Sequence, residues 1–290
     1  MDGGRSSMVV RRGARLTRIM TILVLGSTGK TGRRLVARLR AAGEKVRAAS
    51  RSGEVRFDWS EPTTWAGALE AAEAVYLIAP DDPDPVAAFV AEAVSSGVRR
   101  FVVLSGRGIE HVNEEFGEGM RAAEAAVRAS GAEWTILRAN NFAQNFDEDL
   151  WFDPLRAGRL GLPMGEVGEP FVDVEDVAEV AAAVLTRDGH AGRVYELSGP
   201  RALTFAQALS EIATAAGRPI EYETLTPDAY RTELLAHGLP EEVATALNAM
   251  FELMRTGRIA EPSDGVHAVL GRPATDFAEY VERVWSARPV

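Results

Sequence analysis

Ile22-Leu23-Val24-Leu25-Gly26-Ser27-Thr28-Gly29-Lys30-Thr31-Gly32-Arg33-Arg34-Leu35 joins an apolar run to a glycine-rich turn and then to a helical pattern. A buried strand feeding such a turn brings main-chain N–H groups close to a ligand. The helix that follows presents the positive end of its dipole at the same place. This is how the pyrophosphate of a dinucleotide is held at the start of an α/β sheet. Gly29-Lys30-Thr31 imitates the end of the G-x-x-x-x-G-K-[ST] loop of nucleoside triphosphatases. That loop needs a glycine five positions before Gly29, where Val24 sits inside the strand, so the spacing rejects it. Gly26-x-x-Gly29-x-x-Gly32 therefore reads as a dinucleotide turn, with Gly26, Ser27, Thr28, Gly29, Lys30, Thr31 and Gly32 as its candidate contacts.

The next strand pattern, Lys45-Val46-Arg47-Ala48-Ala49-Ser50-Arg51, ends about 19 residues after Gly32, where this fold reads the adenosine ribose. An acidic residue at that point selects NAD. Ser50-Arg51 instead offers a hydroxyl and a planar fork of donors, which suits a 2′-phosphate. NADP(H) is therefore expected in preference to NAD(H), with Arg56 as a second candidate for the phosphate.

A chain of 290 residues with 46% hydrophobic content is long enough for one sizeable α/β core with additions. The absence of cysteine removes disulfides, thiolate catalysis and cysteine-ligated zinc, and fits the reducing cytoplasm in which this protein is expected to work. A net charge of −10 argues against nucleic acid as a partner, and no stretch has the length and apolarity of a membrane span. The expected partner is a small-molecule substrate, and the expected state is a monomer or homodimer. Residues 1–19 differ from the rest in carrying Arg5, Arg11, Arg12, Arg15 and Arg18 against a lone Asp2, and read as an unstructured tail. Arg11-Arg12 does not make an export signal, because the apolar run after it is the first strand of the nucleotide turn.

Short β-branched runs then alternate with longer alanine-rich amphipathic segments, the signature of a doubly wound parallel sheet covered on both faces. The strand candidates are Ile22–Leu25, Val46–Ala49, Ala74–Ile78, Arg100–Leu104, Trp134–Leu137 and Val194–Leu197. Helices are predicted over Thr31–Ala42, Pro62–Leu69, Pro85–Ser96, Glu118–Ser130 and Val174–Thr186. Beyond Thr204 the pattern is mostly helical, over Thr204–Ala216, Pro227–His237, Pro240–Thr256 and Thr275–Trp285, around a short strand Glu221–Leu225. Thr204, Ser263 and Thr275 are the predicted N-caps. Residues 20–150 are expected to form the nucleotide-binding core and 151–290 a smaller substrate-binding portion, with residues 170–198 returning to the core sheet. Met250, Phe251, Leu253 and Met254 fall at helical spacing, which reads first as core and second as the lining of a substrate cleft.

The chain resembles the NmrA-like, atypical short-chain dehydrogenase/reductase family. The resemblance rests on Gly26-x-Thr28-Gly29-x-x-Gly32, Ser50-Arg51, Phe57-Asp58-Trp59, Tyr76-Leu77-Ile78-Ala79-Pro80 and Arg100-Phe101-Val102-Val103-Leu104-Ser105. Trp134-Thr135-Ile136-Leu137-Arg138, Pro170-Phe171-Val172-Asp173-Val174-Glu175-Asp176-Val177-Ala178 and Gly271-Arg272-Pro273 with Phe277-x-x-Tyr280-Val281 extend it from Met20 almost to the end. Thr64-Trp65, Asp84-Pro85 and Ile109-Glu110 are most similar to the branch containing ergot-alkaloid iminium reductases. The resemblance implies a Rossmann-like fold, with Gly26, Thr28, Gly29, Lys30 and Thr31 on the pyrophosphate and Ser50 and Arg51 on the 2′-phosphate. It also implies Asp58 and Trp59 beside the adenine, Ala79 and Pro80 under the nicotinamide ribose, and Ser105 at the reactive end. Asn140, Asn141 and Phe142 would shape the substrate pocket, although Ala139 stands where the family usually has proline.

One absence constrains the chemistry. Short-chain dehydrogenases commonly use Tyr-x-x-x-Lys, in which lysine lowers the tyrosine pKa so that the phenol exchanges a proton with the substrate. Lys30 and Lys45 are the only lysines, and Tyr76, Tyr195, Tyr222, Tyr230 and Tyr280 are followed four places later by Pro80, Gly199, Thr226, Leu234 and Val284. Met120 and Glu124 occupy the stretch that would carry the pair. Ser105, His111, Asn140 and Asn141 are the substitute donor candidates, while His190, His237 and His267 show no metal-ligand spacing and no metal site is expected. The expected activity is NADPH-dependent hydride transfer to an activated acceptor such as an iminium, quinone or enone. The alternative is a non-catalytic NADP(H)-sensing regulator.

Overall fold

The structure, a computed structural model, describes residues 20–112, 116–149 and 151–286. Residues 1–19, predicted as a tail, lie outside them. The strands are β1 (Thr21–Leu25), β2 (Lys45–Ser50), β3 (Val55–Arg56), β4 (Ala74–Ile78), β5 (Arg100–Gly106), β6 (Glu133–Ala139), β7 (Arg159–Leu162), β8 (Arg193–Leu197) and β9 (Glu221–Thr224). The helices of the first half are α1 (Lys30–Ala41), α2 (Trp65–Leu69), α3 (Asp84–Ser95), α4 (Glu118–Ala129), α5 (Asn145–Glu148) and α6 (Phe152–Ala157). They are followed by α7 (Val174–Thr186), α8 (Phe205–Ala216), α9 (Pro227–Ala236), α10 (Glu241–Arg255), α11 (Gly265–Leu270) and α12 (Phe277–Trp285).

Seven strands form one parallel sheet in the order β3-β2-β1-β4-β5-β6-β8. The order reverses between β1 and β4, so a crevice opens at the carboxyl ends of those two strands, where doubly wound sheets bind ligands. Strict alternation along β1 explains why the run is apolar throughout. Ile22 and Val24 face Leu35 of α1 and Val177 of α7, while Leu23 and Leu25 face Trp65 of α2 and Phe89 of α3. The six strand candidates before Thr204 all lie in this sheet, with β3, too short to produce a pattern, added at its edge; the predicted strand Glu221–Leu225 is β9, which pairs elsewhere with the unpredicted β7.

The C-terminal helices surround a third core rich in aromatic side chains, with Phe146, Phe171, Phe205, Phe251 and Trp285 buried together. β7 and β9 pair as a separate two-stranded parallel sheet at its edge. Thr204 caps α8 in a reciprocal box with Gln207, as predicted. The other two predicted caps are corrected. Asp276 caps α12 by accepting from Ala278 N–H, and Thr275 instead gives its hydroxyl and N–H to buried Asp176. Asp264, not Ser263, precedes α11, and Ser263 donates its hydroxyl to the Glu196 carbonyl. Asp and Ser are equally good caps, and only tertiary partners decide between neighbours.

Candidate active site

The turn between β1 and α1 is built for a close backbone approach. Gly26 adopts φ +63°, and a Cβ there would meet the Ile78 side chain at 3.0 Å. At Gly32 a Cβ would lie 2.2 Å from the Gly26 carbonyl oxygen. No side chain caps the first turn of α1 and no acidic residue lies in it, so its N–H groups face an open groove as an anion site would.

That groove, about 1180 Å³, runs from Gly26, Thr28, Gly29, Lys30 and Thr31 past Ser50 and Arg51 to Asp58 and Trp59. Ser50 lines the groove's far end, and its hydroxyl is buried with no hydrogen-bond partner among the described residues. Arg51 makes no hydrogen bond or ion pair among the described residues, whereas Arg56 is tied to Glu61. Asp58 accepts from the Ser60 hydroxyl and N–H, which hold its carboxyl below the ordinary value. Trp59 lies edge-on to Phe57 and Phe89, with ring centroids 5.1 and 5.0 Å away. The glycine cradle, the orphaned hydroxyl and the free guanidinium fit a dinucleotide. Ser27 and Gly32 lie beneath the turn, buried and outside the groove lining.

Past Ile78, Ala79 and Pro80 the groove opens into a second cleft of about 340 Å³, with Leu104 and Phe142 on the shared wall. Phe116 and Met120 line one side, Met250 and Leu253 of α10 the other, and Ser105, Asn140 and Asn141 the floor. Gly119 makes the first side possible, because a Cβ there would fall 1.7 Å from the Pro80 carbonyl oxygen. Of the four C-terminal residues at helical spacing, Met250 and Leu253 line the cleft and Phe251 and Met254 are core.

Ser105 is buried and donates its hydroxyl to Glu124 Oε1 at 2.7 Å. Arg138 clamps the same carboxylate through Nε (2.9 Å) and a terminal nitrogen (2.8 Å), and also reaches Glu110. Burial pushes the Glu124 carboxyl up, but the hydrogen bonds from Arg138 and Ser105 outweigh it and leave it below the ordinary value. Met120 and Glu124 thus sit where Tyr and Lys were missed, one lining the cleft and the other oriented beneath it.

Asn140 is also spoken for. Its amide donates to Glu169 (2.9 Å) and the Ile259 carbonyl (3.1 Å), and its oxygen accepts from Arg107 (3.2 Å). Asn141 gives its main-chain N–H to the same Glu169 oxygen at 2.9 Å. Burial raises the Glu169 carboxyl above its ordinary value, with the two asparagines and the Arg107 charge pulling the other way. His111 is half-exposed, 3.9 Å from Glu110, and is not among the residues lining the cleft.

Arg107, Met120 and Asn145 were not read as site residues. Asn145 accepts from Lys30 Nζ at 2.6 Å, and Asp149 is a second partner of that ammonium. Arg33 and Arg34 hold Glu148 in the same way, fixing α5 on α1. The pairing of a basic α1 face with acids more than a hundred positions away leaves no local spacing to detect.

A family profile described as NAD(P)H-binding matches residues 26–188. The chain belongs to this family. It is 32% identical over 278 residues to the NAD(P)H azoreductase of Xenophilus azovorans, covering 90% of this chain and 96% of that one. It is 36% identical over 281 residues to the (4-alkanoyl-5-oxo-2,5-dihydrofuran-3-yl)methyl phosphate reductase of Streptomyces griseus, covering 92% and 96%. Festuclavine synthases and agroclavine dehydrogenases are also among its relatives. The solved structure of NmrA, a negative transcriptional regulator, in complex with NADP shares the fold, with a TM-score of 0.74 and 16% identity. That match covers 92% of this chain and 96% of NmrA. The chain thus shares the fold of NmrA and has proteins named as reductases among its relatives.

Proposed function

We propose that this protein is an NADPH-dependent reductase that delivers hydride to a small, activated acceptor such as an iminium, quinone or enone, without a tyrosine proton donor. The observation that carries the reading is the junction of groove and cleft at Ile78–Pro80, which sets a long groove that fits a dinucleotide against a smaller, mostly apolar cleft. When bound, the nicotinamide supplies the hydride. The chain's own residues bind and orient: the Gly26–Gly32 turn would take the pyrophosphate, and Ser50 with Arg51 the 2′-phosphate. Ala79 and Pro80 would support the nicotinamide ribose.

Phe116, Met120, Phe142, Met250 and Leu253 would limit water around a bound nicotinamide and acceptor. No tyrosine or histidine lines the cleft among the described residues, and the Lys30 ammonium there is held by Asn145 and Asp149, so an acceptor that builds up a full alkoxide finds no dedicated proton donor beside it. An acceptor that neutralises its own charge or delocalises it does not need one. The azo and unsaturated-lactone compounds named for the relatives are conjugated acceptors of that kind.

The test is loss of NADPH absorbance across a panel of quinones, cyclic iminium ions, enones and azo dyes, with NADH run in parallel. Turnover of at least one acceptor, with NADPH preferred, is the expected result. Tight binding of NADP⁺ or NADPH with no turnover of any acceptor would instead identify a sensor of the kind NmrA exemplifies.

A further inference from the structure

Ser105 carries the one hydroxyl among the described residues lining the catalytic cleft, and its proton is already committed. Glu124 is ionised, because Arg138 and Ser105 hold it below the ordinary carboxylate value, and an ionised carboxylate only accepts. Its Oε1 takes Arg138 Nε and Ser105, and its Oε2 takes the second Arg138 nitrogen. With no other role open to it, the Ser105 hydroxyl must point its hydrogen inward. What remains for the cleft is a pair of lone pairs.

We propose that Glu124 is a positioning residue that fixes Ser105 as a hydrogen-bond acceptor, so that the cleft selects ligands presenting an N–H or O–H to Ser105 and disfavours bare oxygens there. The inference rests on the reductase reading only for the identity of the cleft. The strongest neighbouring donors are engaged elsewhere: Asn140 spends both amide hydrogens on Glu169 and Ile259, Arg107 reaches Glu196, Asn140 and the Glu261 carbonyl, and Lys30 is held by Asn145 and Asp149. The Arg138 pair is part of the device, because its bidentate grip keeps Glu124 charged and the Ser105 orientation single-valued.

The consequence separates two isosteric bicyclic probes. Indole carries an N–H where benzofuran carries an oxygen, and both are within the size of the cleft. Dissociation constants are measured by calorimetry with the NADP⁺-loaded protein, where no turnover occurs. Wild type is expected to prefer indole by about tenfold, the range of one hydrogen bond. In Ser105→Ala the preference vanishes. In Glu124→Met it shrinks, because the Ser105 hydroxyl loses its inward acceptor and is free to turn its hydrogen into the cleft.

In the double variant Glu124→Met, Ser105→Ala, the Glu124 substitution has no further effect on the ratio. A merely structural Glu124 would weaken both probes alike and do so in either background. Equal affinities in wild type, a preference that survives Ser105→Ala, or failure of both probes to bind overturns the proposal. Absence of NADPH turnover with every acceptor would sink the reductase reading while leaving the probe ratio free to stand.

Discussion

Gly32 packs so closely under Gly26 that a Cβ on the first would overlap the carbonyl oxygen of the second, at 2.2 Å. The oxygen belongs to main chain and cannot swing aside. Gly32→Ala is therefore expected to push the turn out of register, costing about 2 kcal/mol or more in stability and most of the nucleotide affinity. Urea denaturation and NADPH titration of the same sample check both. Unchanged affinity would show that the turn does not hold the cofactor.

Cofactor choice falls on Arg51. Because its guanidinium has no hydrogen bond or ion pair among the described residues, Arg51→Ala removes nothing structural and should leave stability within about 0.5 kcal/mol of wild type. NADPH affinity should fall about tenfold or more while NADH affinity hardly moves. Fluorescence titration with both nucleotides reads the ratio. Arg56→Ala, which breaks only the exposed pair with Glu61, is the control and should leave the ratio alone.

Glu169 makes stability depend on pH. Its buried carboxyl titrates above the ordinary 4.5, so between that value and its folded value the native state holds a proton that the unfolded chain has lost. Stability then falls as pH rises through that window and levels off above it. Glu169→Gln keeps the acceptor for Asn140 and Asn141 and should flatten this slope. Glu169→Ala strands the Asn140 amide and the Asn141 N–H, at about 2–3 kcal/mol. Urea midpoints at a series of pH values from 4.5 upward measure both effects.

Leu253 closes the cleft from α10 and packs against Gly108, where the glycine leaves just enough room for its methyl groups. Leu253→Ala should cost about 2–3 kcal/mol and enlarge the cleft. If the cleft is the acceptor site, kcat/KM for bulky acceptors rises relative to small ones. A uniform loss across acceptor sizes would place the substrate elsewhere.

The sheet was legible because its information is local. Ile22–Leu25 are buried on both sides, so the run is apolar without interruption, and the glycine turn follows at a spacing that only one loop geometry satisfies. Ser50 and Arg51 were found by counting from Gly32. The cleft was legible only in part. Ser105 was placed by its position after β5, but its partner Glu124 lies 19 positions on and Arg138 another 14, joined only by the sheet and α4. Asn140 was read as a donor candidate because sequence shows that an amide is present and not that Glu169 and Ile259 have claimed its hydrogens. His111 was drawn in by its chemistry alone.

The contact between Gly119 and the Pro80 carbonyl ties the Met120 wall to the end of β4 with no slack. Nothing larger than hydrogen fits between them, so no side chain can be added at Gly119 without displacing the main chain that would support the cofactor. Among the described residues, no such main-chain approach joins the α10 wall to the nucleotide groove. Evolution of this scaffold toward new substrates is thus channelled to one side: Met250 and Leu253 can be exchanged for apolar residues of other shapes at a cost in packing, while Gly119 admits no side chain at all.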